Sequence, residues 1–198
     1  IFVDCVSAMA ALPLKFDELG WDFAFASVQK AFAIPPGLAV FAVSDRAMQK
    51  AETVKNRGYY FDLLQFAKTA KKDQTPTTPA VPQIMALNYR CQLLLEEGME
   101  NVWQRHQQMA DFVRGWAKEN FALFAEDEKF ASNTLTTVKN TKGIDVAAVI
   151  EAVKEKHNAA FGNGYGKLKG ETFRIAHMGD ITLDDLKDLL SWIDDEIK

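Results

Sequence analysis

Hydrophobic positions along this chain change their spacing as the chain proceeds. Three short apolar runs come first, Ile1–Val6, Asp22–Ala26 and Leu38–Val43. None alternates cleanly with polar residues, the pattern of strands in a sheet covered on both faces. Ser44-Asp45-Arg46 then offers capping residues for a helix expected to reach about Asn56, ahead of Gly58. Tyr59–Ala67 is aromatic and ambiguous, and Thr69–Pro82, with a Lys-Lys-Asp cluster and three prolines, reads as loop.

Beyond Pro82 the period becomes helical. Ile84, Leu87, Cys91, Leu94 and Leu95 recur at helix spacing up to Gly98. A second helix is expected over Met99–Glu119, with Val102, Trp103, His106, Met109, Val113 and Trp116 along one side. The spacing then predicts strand Phe121–Phe124, strand Thr134–Val138, helix Asp145–Lys156, a glycine-rich turn, strand Thr172–Ala176 and helix Leu183–Ile197. Asp184, Asp185, Asp188, Asp194, Asp195 and Glu196 are expected on the exposed side of that last helix. A domain boundary is expected near Gly98, giving residues 1–97 and 98–198, the second a small α+β domain.

Composition narrows the partners. With 198 residues the chain holds one large domain or two small ones, and 48% hydrophobic content is ample for a buried core. A net charge of −4 gives no electrostatic reason to expect nucleic acid or an anionic membrane as partner. No apolar run approaches the ~20 residues of a membrane helix. Cys5 and Cys91 lie far apart, outside any Cys-x-x-Cys pair, as in a reduced cytoplasmic protein. His106, His157 and His177 show no ligand spacing with Cys, Asp or Glu, so no metal is expected.

Candidate chemistry centres on Lys30. It follows an apolar strand-like run, stands just before Pro35-Pro36-Gly37, and lies 26 residues beyond Asp4. Taken alone, such a lysine is most simply a solvated loop residue. Partly buried, its amine becomes a nucleophile toward aldehydes. An acid at the mouth of a neighbouring strand complements it, because pyridoxal phosphate needs both a lysine for its Schiff base and a carboxylate for its ring nitrogen. Arg174 lies inside the apolar run Phe173-Arg174-Ile175, where an inward guanidinium needs an anion and an outward one does not. Gly162-Asn163-Gly164-Tyr165-Gly166 is no dinucleotide fingerprint and reads as a flexible turn ahead of the Arg174 strand.

Four stretches in register resemble the class V aminotransferases of fold type I, most nearly the alanine/serine–glyoxylate branch. They are Ile1–Leu14 with Val-Asp-Cys-Val-Ser, Gln29–Ala39 with Gln-Lys-Ala and Pro-Pro-Gly-Leu-Ala, Thr75–Ala80, and Thr172–Gly179 with Arg-Ile-Ala-His-Met-Gly. The resemblance implies an α/β fold, the C-terminal part of a longer enzyme. Residues 1–97 would complete the large cofactor-binding domain and its dimer helices, and 98–198 would form the small domain. The opening Ile-Phe-Val-Asp-Cys-Val, without a basic n-region, reads in keeping as a strand already in progress.

By that resemblance Lys30 anchors pyridoxal 5′-phosphate and carries the proton at Cα, and Asp4 holds the ring nitrogen protonated. Val6, two residues on and expected on the same side of the strand, packs on the ring; as a strand valine it is equally plain core. Gln29 bonds the ring hydroxyl or phosphate side, and Arg174 grips the substrate α-carboxylate. Thr78, and more weakly Thr75 where relatives often carry tyrosine, reach the phosphate of a partner subunit's cofactor, which implies a homodimer. Ser27-Val28-Gln29 departs from the Gly-Ser-Gln frequent in relatives. The implied reaction moves an amino group between alanine or serine and glyoxylate or pyruvate by a ping-pong route. Phosphoserine with 2-oxoglutarate is the second substrate reading. A cysteine desulfurase-like lyase is the rival reaction, disfavoured because those enzymes usually carry His where Gln29 stands. A member retaining only a binding or assembly role is the non-enzymatic rival.

Overall fold

The structure is a computed structural model describing residues Ile1–Lys198. The chain divides into two compact units, one of Ile1–Met9 and Pro13–Glu96, the other of Ala10–Leu12 and Glu97–Lys198.

In the first unit three strands form one sheet, β1 (Phe2–Asp4), β2 (Phe23–Ser27) and β3 (Ala39–Val43), in the order β1-β2-β3. β1 and β2 run parallel with Asp4 opposite Phe25, and β3 returns antiparallel with Phe41 opposite Phe25. Alternation along β2 sorts its side chains: Ala24 and Ala26 are buried, while Phe23 and Phe25 point to the other face. There Phe23 stacks on Phe41 with ring centroids 5.4 Å apart and meets Phe2 at 5.3 Å.

Helix α1 (Asp45–Thr53) starts at Ser44, whose hydroxyl accepts the Ala47 N–H. That hydroxyl also donates to Asp22, whose carboxylate takes Arg46 through Nε and Nη2 at 2.7 and 2.8 Å. The Arg46 guanidinium holds Asp22 far below the ordinary carboxylate range. The entry to β2 is thereby tied to the start of α1. Helix α2 (Leu63–Ala70) is capped by Asp62, itself paired with Arg57. The ambiguous aromatic stretch thus splits into a turn and a helix. α2 lays Phe66 edge-on against Phe41, and the rest of the aromatic face borders an open cavity of about 1030 Å³. Full coverage on both faces, expected from the missing polar alternation, is therefore not found within this chain: Ala24 and Ala26 of β2 are buried on one face, where Ala42 of β3 stays exposed, and the phenylalanine face is open.

Helix α3 (Val81–Glu97) has the expected period and its burial follows it in part: Leu94 is buried and Leu87 and Cys91 are half-buried, whereas Ile84 and Leu95 are exposed. Only Arg90 and Leu94 are buried, whereas Val81, Ile84, Met85, Tyr89 and Leu95 are exposed.

The second unit has a closed core. Helix α4 (Met99–Asn120) buries Val102, His106, Met109, Val113 and Trp116, five of the six positions its spacing singles out. It packs beside a four-stranded antiparallel sheet of β4 (Ala122–Leu123), β5 (Leu135–Lys139), β6 (Gly162–Asn163) and β7 (Thr172–Ala176), in the order β4-β5-β7-β6. Helices α5 (Val146–His157) and α6 (Leu183–Glu196) complete the unit. Phe173 on β7 is fully buried, with Trp116, Phe121 and Phe161 around it at centroid distances of 6.3, 5.2 and 5.6 Å.

Local chemistry sets the helix ends. Asp145 accepts from the N–H groups of Ala147 and Ala148 to start α5, and Asn158 ends it in the left-handed region at φ 52°. Thr182 and Asp185 form a reciprocal capping box at α6. Two corrections to the sequence reading concern this unit. Asp194 does not merely solvate α6, since it accepts a hydrogen bond from the Trp116 indole at 3.0 Å. The glycine-rich segment is no flexible turn: Gly162 and Asn163 are strand, paired with Arg174 and Phe173.

His177 is held within the second unit by two hydrogen bonds. Its Nδ1–H donates to the Asn133 carbonyl at 3.1 Å, so Nε2 accepts the Thr136 hydroxyl at 2.8 Å. Burial pushes its pKa down to about 4, keeping the ring neutral. His106 is arranged likewise, donating to the Val102 carbonyl and accepting the Gly179 N–H.

Candidate functional site

Parallel strands bring their C-terminal ends to the same edge of a sheet, where ligands of α/β folds are usually met. Asp4 is the last residue of β1, and Lys30 stands three residues past the end of β2, its parallel neighbour. Topology alone therefore places a carboxylate and an amine at adjacent strand ends.

The Lys30 loop is pinned by its neighbours. Val28, Ala31 and Phe32 are buried, while Gln29 is exposed and Lys30 half-buried. The Ala33 N–H donates to the Lys30 carbonyl at 2.9 Å, with Ala33 in the left-handed region at φ 55°. Val28 donates its N–H to the Leu38 carbonyl beyond the Pro-Pro turn and accepts the Ile34 N–H just ahead of it. Gly37 closes that turn at φ 131°, a conformation open to glycine, and a Cβ there would stand 3.2 Å from the Gln83 amide nitrogen. The backbone is thus fixed on both sides of the lysine, and its amine enters no ion pair with the protein's own carboxylates.

Asp4 is exposed, and its Oδ1 accepts the Val6 N–H at 2.8 Å. That bond orients the carboxylate and leaves Oδ2 available. Val6 itself is not on the strand. β1 ends at Asp4, and Val6 lies in the following turn, so it shares a local turn with Asp4 rather than a strand face. Cys5 between them is buried, and burial followed by the Asp4 charge raises its thiol pKa. Such a thiol is poorly suited to act as a mobile nucleophile.

These residues fit pyridoxal phosphate. A carboxylate oriented by a backbone N–H, with one oxygen free, suits a protonated ring nitrogen, and a half-buried lysine without an internal counter-ion suits an aldehyde carbon. Phosphate contacts are less developed. Thr75 and Thr78 lie in the loop between α2 and α3, and the Thr75 hydroxyl donates to the Thr77 carbonyl at 2.5 Å. Both threonines line the large apolar cavity, which includes none of Asp4, Val6, Gln29 or Lys30. The structure thus brings Asp4, Val6, Gln29 and Lys30 to one sheet edge and leaves the threonines apart from them.

Arg174, in the second unit, stands on β7 on the face opposite Phe173 and Ile175, which are fully buried. It is not driven into the hydrophobic core, so its environment comes from the neighbouring hairpin. Its Nε donates to the Asn163 carbonyl at 2.9 Å, and its guanidinium lies 3.7 Å from the centre of the Tyr165 ring. Both terminal nitrogens remain without a hydrogen-bonding partner. Sequence reasoning missed this role of Asn163 and Tyr165. The available signal was an aromatic residue set among glycines, too short a stretch to show a strand period.

Comparisons with known proteins agree on one family. Residues 1–166 match the family described as aminotransferase class-V. The chain is 34% identical over 183 residues to an L-aspartate–glyoxylate aminotransferase of Paracoccus denitrificans, covering 92% of this chain and 46% of that protein. It is 34% identical over 187 residues to a serine–glyoxylate aminotransferase of Methylorubrum extorquens, covering 91% of this chain and 46% of that protein. Among solved structures, an alanine–glyoxylate aminotransferase from Nostoc sp. superposes with a TM-score of 0.92 at 26% identity, covering 100% of this chain and 53% of that one. The chain spans about half the length of the relatives it matches. Its fold is accordingly the C-terminal part of a fold-type I α/β enzyme.

Proposed function

We infer, for a chain that belongs to the class V aminotransferase family, that the intact protein moves an amino group between a small amino acid and a 2-oxo acid. Alanine or serine is the donor of choice and glyoxylate or pyruvate the acceptor. The observation that carries this reading is the pairing of Asp4 and Lys30 at adjacent parallel strand ends. The cofactor this implies is pyridoxal 5′-phosphate, whose ring, when bound, withdraws electrons from the amino acid's Cα.

The chain's own residues then have separate tasks. Lys30 would hold the cofactor and, as a free amine, would take and return the proton at the substrate Cα, one amine serving as anchor and base. The free oxygen of Asp4 would keep the ring nitrogen protonated, and Val6 in the adjoining turn would shield the ring. Gln29 would bond its hydroxyl or phosphate side, and Arg174 would grip the substrate carboxylate. The buried, raised-pKa Cys5 supports transamination over sulfur removal.

The first unit is assigned to the large domain and the second to the small domain. The exposed stripe Val81, Met85, Tyr89 and Leu95 on α3 supports a homodimer, in which Thr75 and Thr78 serve the partner's cofactor phosphate. No helix is long and apolar enough to cross a membrane, and both cysteines are unbridged, which supports a cytoplasmic setting.

The test is the visible absorbance of the full-length protein loaded with pyridoxal phosphate. Alanine or serine should bleach the band, and glyoxylate or pyruvate should restore it. A response confined to phosphoserine and 2-oxoglutarate would reassign the substrates. A band indifferent to every amino acid would overturn transamination.

A further inference from the structure

We propose that Tyr165 is a positioning residue that fixes the Arg174 guanidinium, so that the arginine meets a substrate carboxylate end-on, through its two terminal nitrogens. This rests on the assignment of Arg174 to carboxylate binding and adds to it the residue and geometry that set the arginine's orientation.

Two contacts constrain this side chain, and one glycine makes room for it. The Tyr165 ring covers the guanidinium at 3.7 Å from centroid to Cζ, which attracts the cation and restricts its plane. The Asn163 carbonyl takes the Nε hydrogen at 2.9 Å, which restricts rotation within that plane. Gly162 admits the close approach, since a Cβ there would stand 2.9 Å from Nη2. With Nε occupied, the side-on fork of Nε and Nη2 is unavailable, and the fork formed by Nη1 and Nη2 remains for a carboxylate.

The platform is itself held. The Asn163 side-chain oxygen accepts the N–H groups of Gly164 and Gly170 at 2.8 and 2.9 Å, bracing the loop that carries Tyr165. Tyr165 is 74% exposed, so the fold gains little from burying its ring. An exposed aromatic laid on a cation is therefore explained by what it does to the cation. A long arginine side chain ordered before the substrate arrives loses less conformational freedom on binding.

The experiment uses the full-length holoenzyme and reads binding as well as turnover. The dissociation constant of propionate, a carboxylate without an amino group, is measured by calorimetry, and KM and kcat are measured for the amino donor. Tyr165→Ala and Tyr165→Leu should each weaken propionate and raise KM by roughly 5- to 10-fold, with kcat held within about 2-fold. Tyr165→Phe, which keeps the ring, should behave as wild type. In an Arg174→Ala background, Tyr165→Ala should add nothing. If Arg174→Ala weakens propionate but Tyr165→Ala and Tyr165→Leu do not, the positioning role is overturned and the carboxylate reading stands. If Arg174→Ala leaves propionate binding and KM unchanged, the carboxylate reading itself fails and takes the positioning role with it. A Tyr165→Phe variant as impaired as Tyr165→Ala would also overturn the proposal, because it would place the effect in the hydroxyl.

Discussion

The two units solve the same physical problem to different degrees. In the second, every element finds a partner: α4, α5 and α6 converge with the antiparallel sheet on Phe173, Ile175 and Val138, all fully buried. In the first, β2 buries Ala24 and Ala26 on one face and the sheet leaves a phenylalanine face beside an open cavity, with Phe2 80% exposed. Both units have side-chain-capped helices, α1 and α2 in the first and α5 and α6 in the second, and paired strands, so local structure is not what separates them. The difference lies in how much apolar surface each can cover from its own residues. A unit whose core is complete can fold alone, whereas one whose sheet presents aromatic rings to solvent is built to be covered.

Physical separation of the two units should have the largest effect. A fragment of residues 97–198 should unfold cooperatively on heating, even without Ala10–Leu12, while a fragment of residues 1–96 should show no cooperative transition and should aggregate. Circular dichroism melts of the two pieces decide it, and a cooperative melt of the first fragment alone would reverse the comparison.

Single substitutions sharpen it within the intact 198-residue chain. Phe173→Ala removes a ring packed against three others and should cost about 3–5 kcal/mol in urea unfolding. Phe41→Ala, on the open face, should cost much less here. In the full-length protein the same change should become distinctly more damaging, as the face acquires its cover. Equal effects of Phe41→Ala in both contexts would show that the face stays open.

Acid should weaken the second unit first. The folded-state pKa of His177 is about 4, below the ordinary 6.5, so between these values the unfolded chain binds the extra proton. The contribution is therefore complete above pH 6.5 and declines as pH falls toward 4, by on the order of 3 kcal/mol. Replacing His177 with Gln should flatten this part of the pH–stability curve while lowering its plateau. Asp22 in the first unit is depressed instead by Arg46, so its contribution is present above the usual aspartate range and is lost only in stronger acid. The smallest effects are at helix starts, where Ser44→Ala and Thr182→Ala should each cost about 1 kcal/mol. Ser44 should be the more costly of the two, since its hydroxyl also donates to Asp22.

The same contrast explains what was legible in the sequence. Helix α4 reads true because the surface it packs on lies in this chain, so all of its periodic residues but Trp103 are buried. Helix α3 has a comparable period, yet Ile84 and Leu95 at its two ends remain exposed, since periodicity reports an apolar face without naming what covers it. Val6 was misplaced because β1 is only three residues long, and an apolar run does not show where a strand ends. The hairpin under Arg174 was hidden by its glycines, and the Trp116–Asp194 bond by a run of acids that looks uniformly solvated. Asp4 and Lys30 stand out through their local motifs. The orientation of Arg174 does not, because it depends on a ring and a carbonyl contributed by a neighbouring strand and loop.

The most direct test of the central claim is to load the full-length protein with pyridoxal phosphate, reduce it with borohydride, and map the modified peptide by mass spectrometry. A single labelled site, Lys30, is expected. Label on another lysine, or no covalent label at all, would contradict it.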